Sequence, residues 1–498
     1  MPKIILIISI VLAVVPALIW ATGLETFSGV RLLVFFGPFL LVIFLILLKR
    51  RPAWTAFSIL LALMPIIGLI MPPARLSLTA FHYLALLLLL LGMQAGNDAR
   101  RVAFFARNLR IFWLPLLLLA PTVLFAVNIQ RSAMEWAAMW GYYATVVVGL
   151  HYLSDRKNLI TAHFLLVTSL AIISVAILVQ KFAGVSFAWL YGDRGTEIVS
   201  GVLIKRGSGL FQDPQKAGQV IAMLTTYLTV LWQRRALPAG WARILTPIAI
   251  ALALPALFLT VSRLAIASGM FFFLVGFLIL GRQAIPVRVI ARVCAGGILV
   301  AGALMWGNTE MINLLPSELQ SRALAMDESM AARLGIWVHS FHIYMDHPLT
   351  GIGPGNYQQY FLMENPGYPA SQGGFGPVLI PDQPESGYLK ILYEVGTLGS
   401  LAILWFAGNM ARLIIANIHS PVPDIASRGW AVAVAMGVFL VTFTTLFTTS
   451  DSRNAFLPVL FLTLAYADRL RDIQGLTTPT AGTFLRGMLG ARSRSAPG

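Results

Sequence analysis

The chain has 498 residues, of which 58% are hydrophobic and only 11% charged, with a mean hydropathy of +0.79. A soluble domain carries about 25% charged residues, so a cytosolic enzyme, a secreted domain and a disordered chain are excluded; the long apolar blocks mark a polytopic membrane protein. The formal charge of +16 is read as the positive-inside bias of membrane insertion rather than as a nucleic-acid surface, and a single cysteine, Cys294, leaves no disulfide and no cysteine-ligated zinc site.

Apolar runs between charged or Pro/Gly-rich breaks predict fourteen spans, at roughly 4–21, 31–48, 54–71, 76–93, 111–127, 136–153, 160–182, 217–232, 244–261, 264–281, 291–306, 388–407, 430–448 and 455–468. The first begins like a signal peptide, with Lys3 and small residues near Ala21, and is read as a retained anchor because the chain continues as a polytopic protein. With the N-terminus in the cytoplasm, the inner segments hold 23 basic and five acidic residues, while 13 basic and 15 acidic residues fall outside. The imbalance places both termini in the cytoplasm. The expected architecture is all-α, with about 14 transmembrane helices and one large periplasmic loop carrying amphipathic helices.

The expected parts are N-terminal spans over 1–182, central spans with an outer loop over 183–306, a large periplasmic loop over 307–387, C-terminal spans over 388–468 and a basic cytoplasmic tail over 469–498. The large loop is expected to be helical over about 313–346 and irregular over 351–387. Large outer loops suit an enzyme acting at the outer face better than a transporter. No internal repeat is visible.

Four outward-facing clusters carry the chemistry. The first is Lys205-Arg206-Gly207-Ser208-Gly209-Leu210-Phe211-Gln212-Asp213-Pro214-Gln215. The second is the tight turn Ser262-Arg263, which interrupts about 38 apolar residues. An arginine there either snorkels at a hairpin end or clamps an anion, since guanidinium suits bidentate phosphate binding. The third runs from Arg333 and Trp337 to His347-Pro348-Leu349-Thr350-Gly351-Ile352-Gly353-Pro354-Gly355-Asn356. Its glycines complete no nucleotide-binding pattern and are read as tight turns. The fourth is Glu385-Ser386, continuing to Glu394, Gly396 and Gly399, with Asp382 nearby. Glu385 is either an ordinary cap charge or a base able to take a proton from a sugar hydroxyl. His339, His342 and His347 cluster, but without metal-ligand spacing, and no metal or other cofactor is expected. His82 and His163 read as packed side chains.

In this order, the clusters resemble the O-antigen ligase/polymerase superfamily of bacterial membrane glycosyltransferases, over roughly residues 200–410. Arg333, Trp337 and the run from His347 to Asn356 carry most of the resemblance. The closing pair Glu385-Ser386, separated by nine residues from Gly396-x-x-Gly399, carries more of it, together with Ser262-Arg263 and the Gly209-x-Phe211-x-x-Pro214 element. The resemblance implies an oligosaccharide donor on polyprenyl diphosphate at the outer face of the inner membrane. Arg263 and Arg333, with Lys205 or Arg206, would hold the diphosphate, and Glu385, with Asp382 second, would be the base. Asp382, Trp337, His347 and Asn356 would line the substrate site, and a flippase and a chain-length regulator would be partners beside membrane lipids. In the ligase branch the first residue of the closing pair is typically histidine. Glu385 at that place favours the polymerase branch over a ligase, and a flippase of lipid-linked glycan is the third reading. Residues 212–215 read Gln-Asp-Pro-Gln where many relatives have Asn-Pro-Asn.

Overall fold

The computed structural model describes residues 57, 58, 61, 110–153, 156–185, 196–199, 202–211, 213–237, 241–279, 334–364, 386–446 and 452–473. The spans expected at 4–21, 31–48, 76–93 and 291–306, and most of that at 54–71, lie outside these residues. Arg333, Asp382 and Glu385 do as well.

The described residues form helices α1 (Arg110–Leu118), α2 (Ala120–Leu124), α3 (Ile129–Leu153), α4 (Arg156–Phe182), α5 (Pro214–Gln233), α6 (Trp241–Leu259) and α7 (Arg263–Leu274). After them come α8 (334–346), α9 (Tyr357–Glu364), α10 (Gly387–Ile418), α11 (Pro423–Thr442) and α12 (Ser452–Ile473). Among the described residues, four helices are long and apolar enough to cross a membrane: Lys157–Phe182, Trp241–Leu259, Gly387–Ile418 and Pro423–Thr442.

α5 is the axis of the bundle. Every residue from Ala217 to Leu231 is buried, as expected of a helix with no polar face. It packs against α11, α7 and α6, and α4 packs against α6. Its threonines are accommodated by local bonds, Thr226 Oγ1 to Ala222 O at 2.9 Å and Thr229 Oγ1 to Thr225 O at 2.7 Å. His163 of α4 is a packed side chain, bonded to Leu159 O at 2.8 Å and to Tyr227 OH at 3.2 Å.

The structure departs from the sequence expectations in five places. The span expected at 111–127 is two helices, because Pro121 stands in the first turn of α2 and forces a restart after Leu119. α7 passes into a π turn over Val275–Ile279. The segment before α5, expected to lie outside, holds an antiparallel hairpin, β1 (Thr196–Val199) with β2 (Val202–Lys205), in a chain expected to be all-α. The stretch expected to be irregular after 351 contains α9. Finally, α11 begins at Pro423 rather than near 430. Arg428, counted as a loop charge, is a buried helical residue whose Nε donates to Asp468 Oδ2 at 2.8 Å, with Arg471 Nη1 3.3 Å from Oδ1. An apolar-run reading stops at such an arginine, but a buried arginine is tolerated when its carboxylate partner is supplied by the neighbouring helix.

α10 is longer than a span. Its 32 residues extend about 48 Å at 1.5 Å per residue, against a hydrocarbon core of about 30 Å. It is also not one helix: Gly396 lies at φ 61° and ψ −166°. Leu398, Leu401, Leu404, Trp405 and Ile415 are exposed beyond that break, so the piece over 397–418 is the one with a lipid-facing surface.

Candidate functional site

Among the described residues, the starts of α5, α7, α10 and α12 and the ends of α6 and α11 meet at one side, the one expected to face outward. A polar network buried among them fixes their positions. Gln219 Nε2 donates to Thr442 Oγ1 at 2.6 Å, and Asn454 Nδ2 donates to Gln219 Oε1 at 2.6 Å and to Lys216 O at 3.1 Å. All three side chains are buried, so the network is a connected one with geometry to lose if any member is removed.

The Ser-Arg turn rests on this assembly. α6 ends at Leu259, Thr260 Oγ1 donates back to Leu257 O at 2.7 Å, and the next residue, Val261, takes φ 52°. A β-branched residue in that region costs about 1–3 kcal/mol and persists only where its surroundings hold it. The turn is held from below by Gly218 of α5, whose absent Cβ would stand 3.0–3.1 Å from Ala265, Thr260 and Ser262. Ser262 then starts α7, and Arg263, its first residue, is exposed.

The first cluster docks on the same turn. Arg206 is buried, and its Nε donates to Thr260 O at 3.2 Å, while Gly207 N donates to Leu259 O at 2.9 Å. Gln180 Oε1 of α4 accepts from Ser208 N and Gly209 N at 2.9 and 2.7 Å. The Gly209-x-Phe211-x-x-Pro214 element is explained by position: Gly209 has φ 54° against Ile177, Phe211 is buried, and Pro214 opens α5. Asp213 caps that helix by accepting from Gln215 N at 2.7 Å. Lys205 ends β2, and its side chain lies outside the described part of the chain.

The third and fourth clusters are joined by the break in α10. There the helical ladder opens and its groups pair with the glycine loop. Ile352 N donates to Tyr393 O and Gly353 N to Glu394 O, both at 2.9 Å. In return, Thr397 N donates to Pro348 O at 2.8 Å and Leu398 N to Leu349 O at 3.1 Å. Gly351, Gly353 and Gly355 all have positive φ, from 69° to 91°, so the expectation of tight turns is met. Asn356, expected to bind substrate, is fully buried and commits its amide to the loop: Nδ2 donates to Ile352 O at 2.8 Å and to Ser132 Oγ at 3.0 Å. His347 is likewise engaged, with its ring edge-on to Tyr360 at 5.4 Å. The indole N–H of Trp337 is buried with no acceptor among the described residues.

An open cleft of about 450 Å³ runs between α8 and α9, lined by His339, His342, Asp346 and Glu364 among others. His339 Nε2 stands 3.9 Å from Glu364 Oε2. Burial raises the Tyr357 hydroxyl to about 12, and burial with a hydrogen bond to Glu364 raises Tyr360 to about 12. Both phenols are neutral donors across the physiological range.

Sequence reasoning singled out Glu394 only as part of a motif. It is a buried carboxylate with Lys390 Nζ at 3.6 Å, and the i,i+4 spacing was the available signal. Gln219, Thr442 and Asn454 gave no signal, because single polar residues in apolar runs are common. Arg206 is brought to the turn that carries Arg263, and Ser386 lies on the same side. Ser386 caps α10 by accepting from Leu389 N, and Gly387 N donates to Phe443 O at 2.8 Å at the end of α11.

Residues 248–404, which contain Arg263, the glycine loop and the break at Gly396, match the family model described as O-Antigen ligase. No curated protein matches the chain. That segment is similar to an O-antigen ligase domain, and it lies in a chain with apolar helices long enough to cross a membrane.

Proposed function

We propose that the protein polymerises polyprenyl-diphosphate-linked oligosaccharide repeats at the periplasmic face of the bacterial inner membrane. The observation that carries this reading is the Ser-Arg turn: an exposed Arg263 on a strained, braced turn, with Arg206 bonded to the carbonyl beneath it. Rigid cationic groups of this kind suit a charge that develops in the transition state. Arg263 and Arg333, with Lys205, grip the donor diphosphate, and Arg206 braces the turn. An acceptor sugar hydroxyl attacks the anomeric carbon of the donor. The glycosidic C–O bond breaks, its electron pair leaves with the polyprenyl diphosphate, and Glu385 takes the hydroxyl proton.

The cleft between α8 and α9 offers carboxylates and imidazoles to sugar hydroxyls, beside Trp337 and His347. The replacement of the ligase branch's histidine by Glu385 supports chain extension. The matched family's description favours a second reading, in which completed glycan is transferred to a lipid core or protein.

Arg263→Ala is expected to lower polymer yield in the native host by about 10²–10³, with normal protein level in the membrane, and Arg263→Lys to retain part of it. Unchanged yield and chain length in Arg263→Ala would remove the diphosphate clamp from the account.

A further inference from the structure

The circumference of α8 is divided into three sectors. At about 100° per residue, Leu334, Val338, Phe341 and Met345 fall within roughly 60° of one another. Gly335, His339, His342 and Asp346 occupy the adjoining sector and face the cleft, which Val338 and Ile343 line from its two edges. Ile336, Trp337, Ser340, Ile343 and Tyr344 take the remainder, which is turned inward: Ser340 and Ile343 are 1% exposed, and Tyr344 OH meets Thr397 Oγ1 at 2.9 Å.

The first sector is uncovered. Leu334, Val338, Phe341 and Met345 are 48–60% exposed, and Leu349 continues the line past the helix end at 66%. Five large apolar side chains in one line form the kind of patch that marks an interaction surface. What it meets is indicated by where it leads. Leu349 O accepts from Leu398 N, and Leu398 opens the exposed apolar face of the piece of α10 that crosses the membrane, with Leu401, Leu404 and Trp405 beyond it. The stripe on α8 and the exposed apolar face of α10 thus start from two residues, Leu349 and Leu398, that are joined by a backbone bond beside Gly396.

We infer that α8 is an interfacial anchor whose stripe of Leu334, Val338, Phe341, Met345 and Leu349 is immersed in the acyl chains of the adjacent leaflet. A helix with one apolar edge and one polar edge lies in the plane of the interface, with its apolar side about 5–10 Å into the headgroup boundary. His339, His342 and Asp346 on the neighbouring sector then face the headgroup layer, and the cleft opens there. The ligand of the surface is phospholipid, and the assignment does not depend on which reaction the protein performs.

Nitroxide accessibility tests it in the full chain. The one native cysteine is removed by Cys294→Ala. Val338→Cys, Met345→Cys and His342→Cys are then labelled singly and reconstituted in vesicles of phosphatidylethanolamine and phosphatidylglycerol. Oxygen, which partitions into acyl chains, should relax the labels at 338 and 345 more strongly than a water-soluble nickel complex does. At 342 the order should reverse. A nickel-dominated response at both 338 and 345, or no response there to either reagent, would overturn the anchor. Because the readout involves no glycan, it stays informative if the glycosyltransferase reading fails.

Discussion

Glu385→Gln is expected to stop polymer formation, lowering turnover by about 10²–10⁴, the usual range for loss of a positioned acid–base group. Gln keeps the shape and hydrogen-bonding length of the side chain and removes only its ability to take a proton. The next two residues are fixed: Ser386 caps α10, and Gly387, too close to the Phe443 ring to bear a side chain, is bonded to the end of α11. That end is where Thr442 joins Gln219 and Asn454 beside the Ser262-Arg263 turn. A base must be ionised to act, so activity should fall at acid pH. Glu385→His supplies a base that ionises higher, near about 6.5. This variant should regain polymer synthesis, with the acidic limb of its pH profile moved upward. Full activity in Glu385→Gln, with protein present in the membrane, would take the role away from Glu385. Asp382→Asn would then be the variant to measure.

Gly396→Ala is expected to be as damaging by a different route. A Cβ at 396 would stand 2.5 Å from Gly351 N and from the carbonyl of Leu349, all backbone atoms that cannot swing away. The φ of 61° is itself unfavourable for alanine. Gly351 faces it, and its own missing Cβ would meet the carbonyls of Tyr393 and Glu394 at 2.5 Å. The two glycines let loop and helix exchange four backbone bonds, and substitution at either one separates them. Buried amides and carbonyls left unpaired cost about 1–3 kcal/mol each, so the loop over 347–356 should detach. The prediction is a lowered melting temperature in detergent, rapid proteolysis between α8 and α9, and no polymer. Gly408, where an added Cβ meets nothing within 4 Å, is the matched control, and Gly408→Ala should melt like the parent. Equal melting of Gly396→Ala and the parent would mean that the break in α10 is not fixed by this contact.

The helices were legible as apolar runs, and their ends were less so. The start of α11 was missed by about seven residues because Arg428 and Asp424 look like loop charges, whereas Arg428 is neutralised by Asp468, 40 residues away. No local pattern announces a partner at that distance. The hairpin over Thr196–Lys205 was missed because four-residue strands carry little periodic signal. Glycines proved the more legible part of the site. The turns at Gly351, Gly353 and Gly355 were expected, and Gly209, Phe211 and Pro214 each have one evident physical task. Asn356 looked like a ligand-binding amide because a polar residue after a glycine run has the same appearance whether it faces a ligand or ties the loop to Ser132. Only the three-dimensional arrangement separates the two.

The most direct test of the central claim is the state of the carrier lipid when the gene is deleted in the native host. Lipid-linked glycan is extracted, its repeat number is read by mass spectrometry, and its membrane face is read by labelling intact spheroplasts. A polymerase of flipped repeats predicts that single repeats accumulate on polyprenyl diphosphate at the outer face, with long polymer absent. Long polymer retained on the carrier would contradict this in favour of a ligase. Single repeats confined to the inner face would contradict it in favour of a flippase.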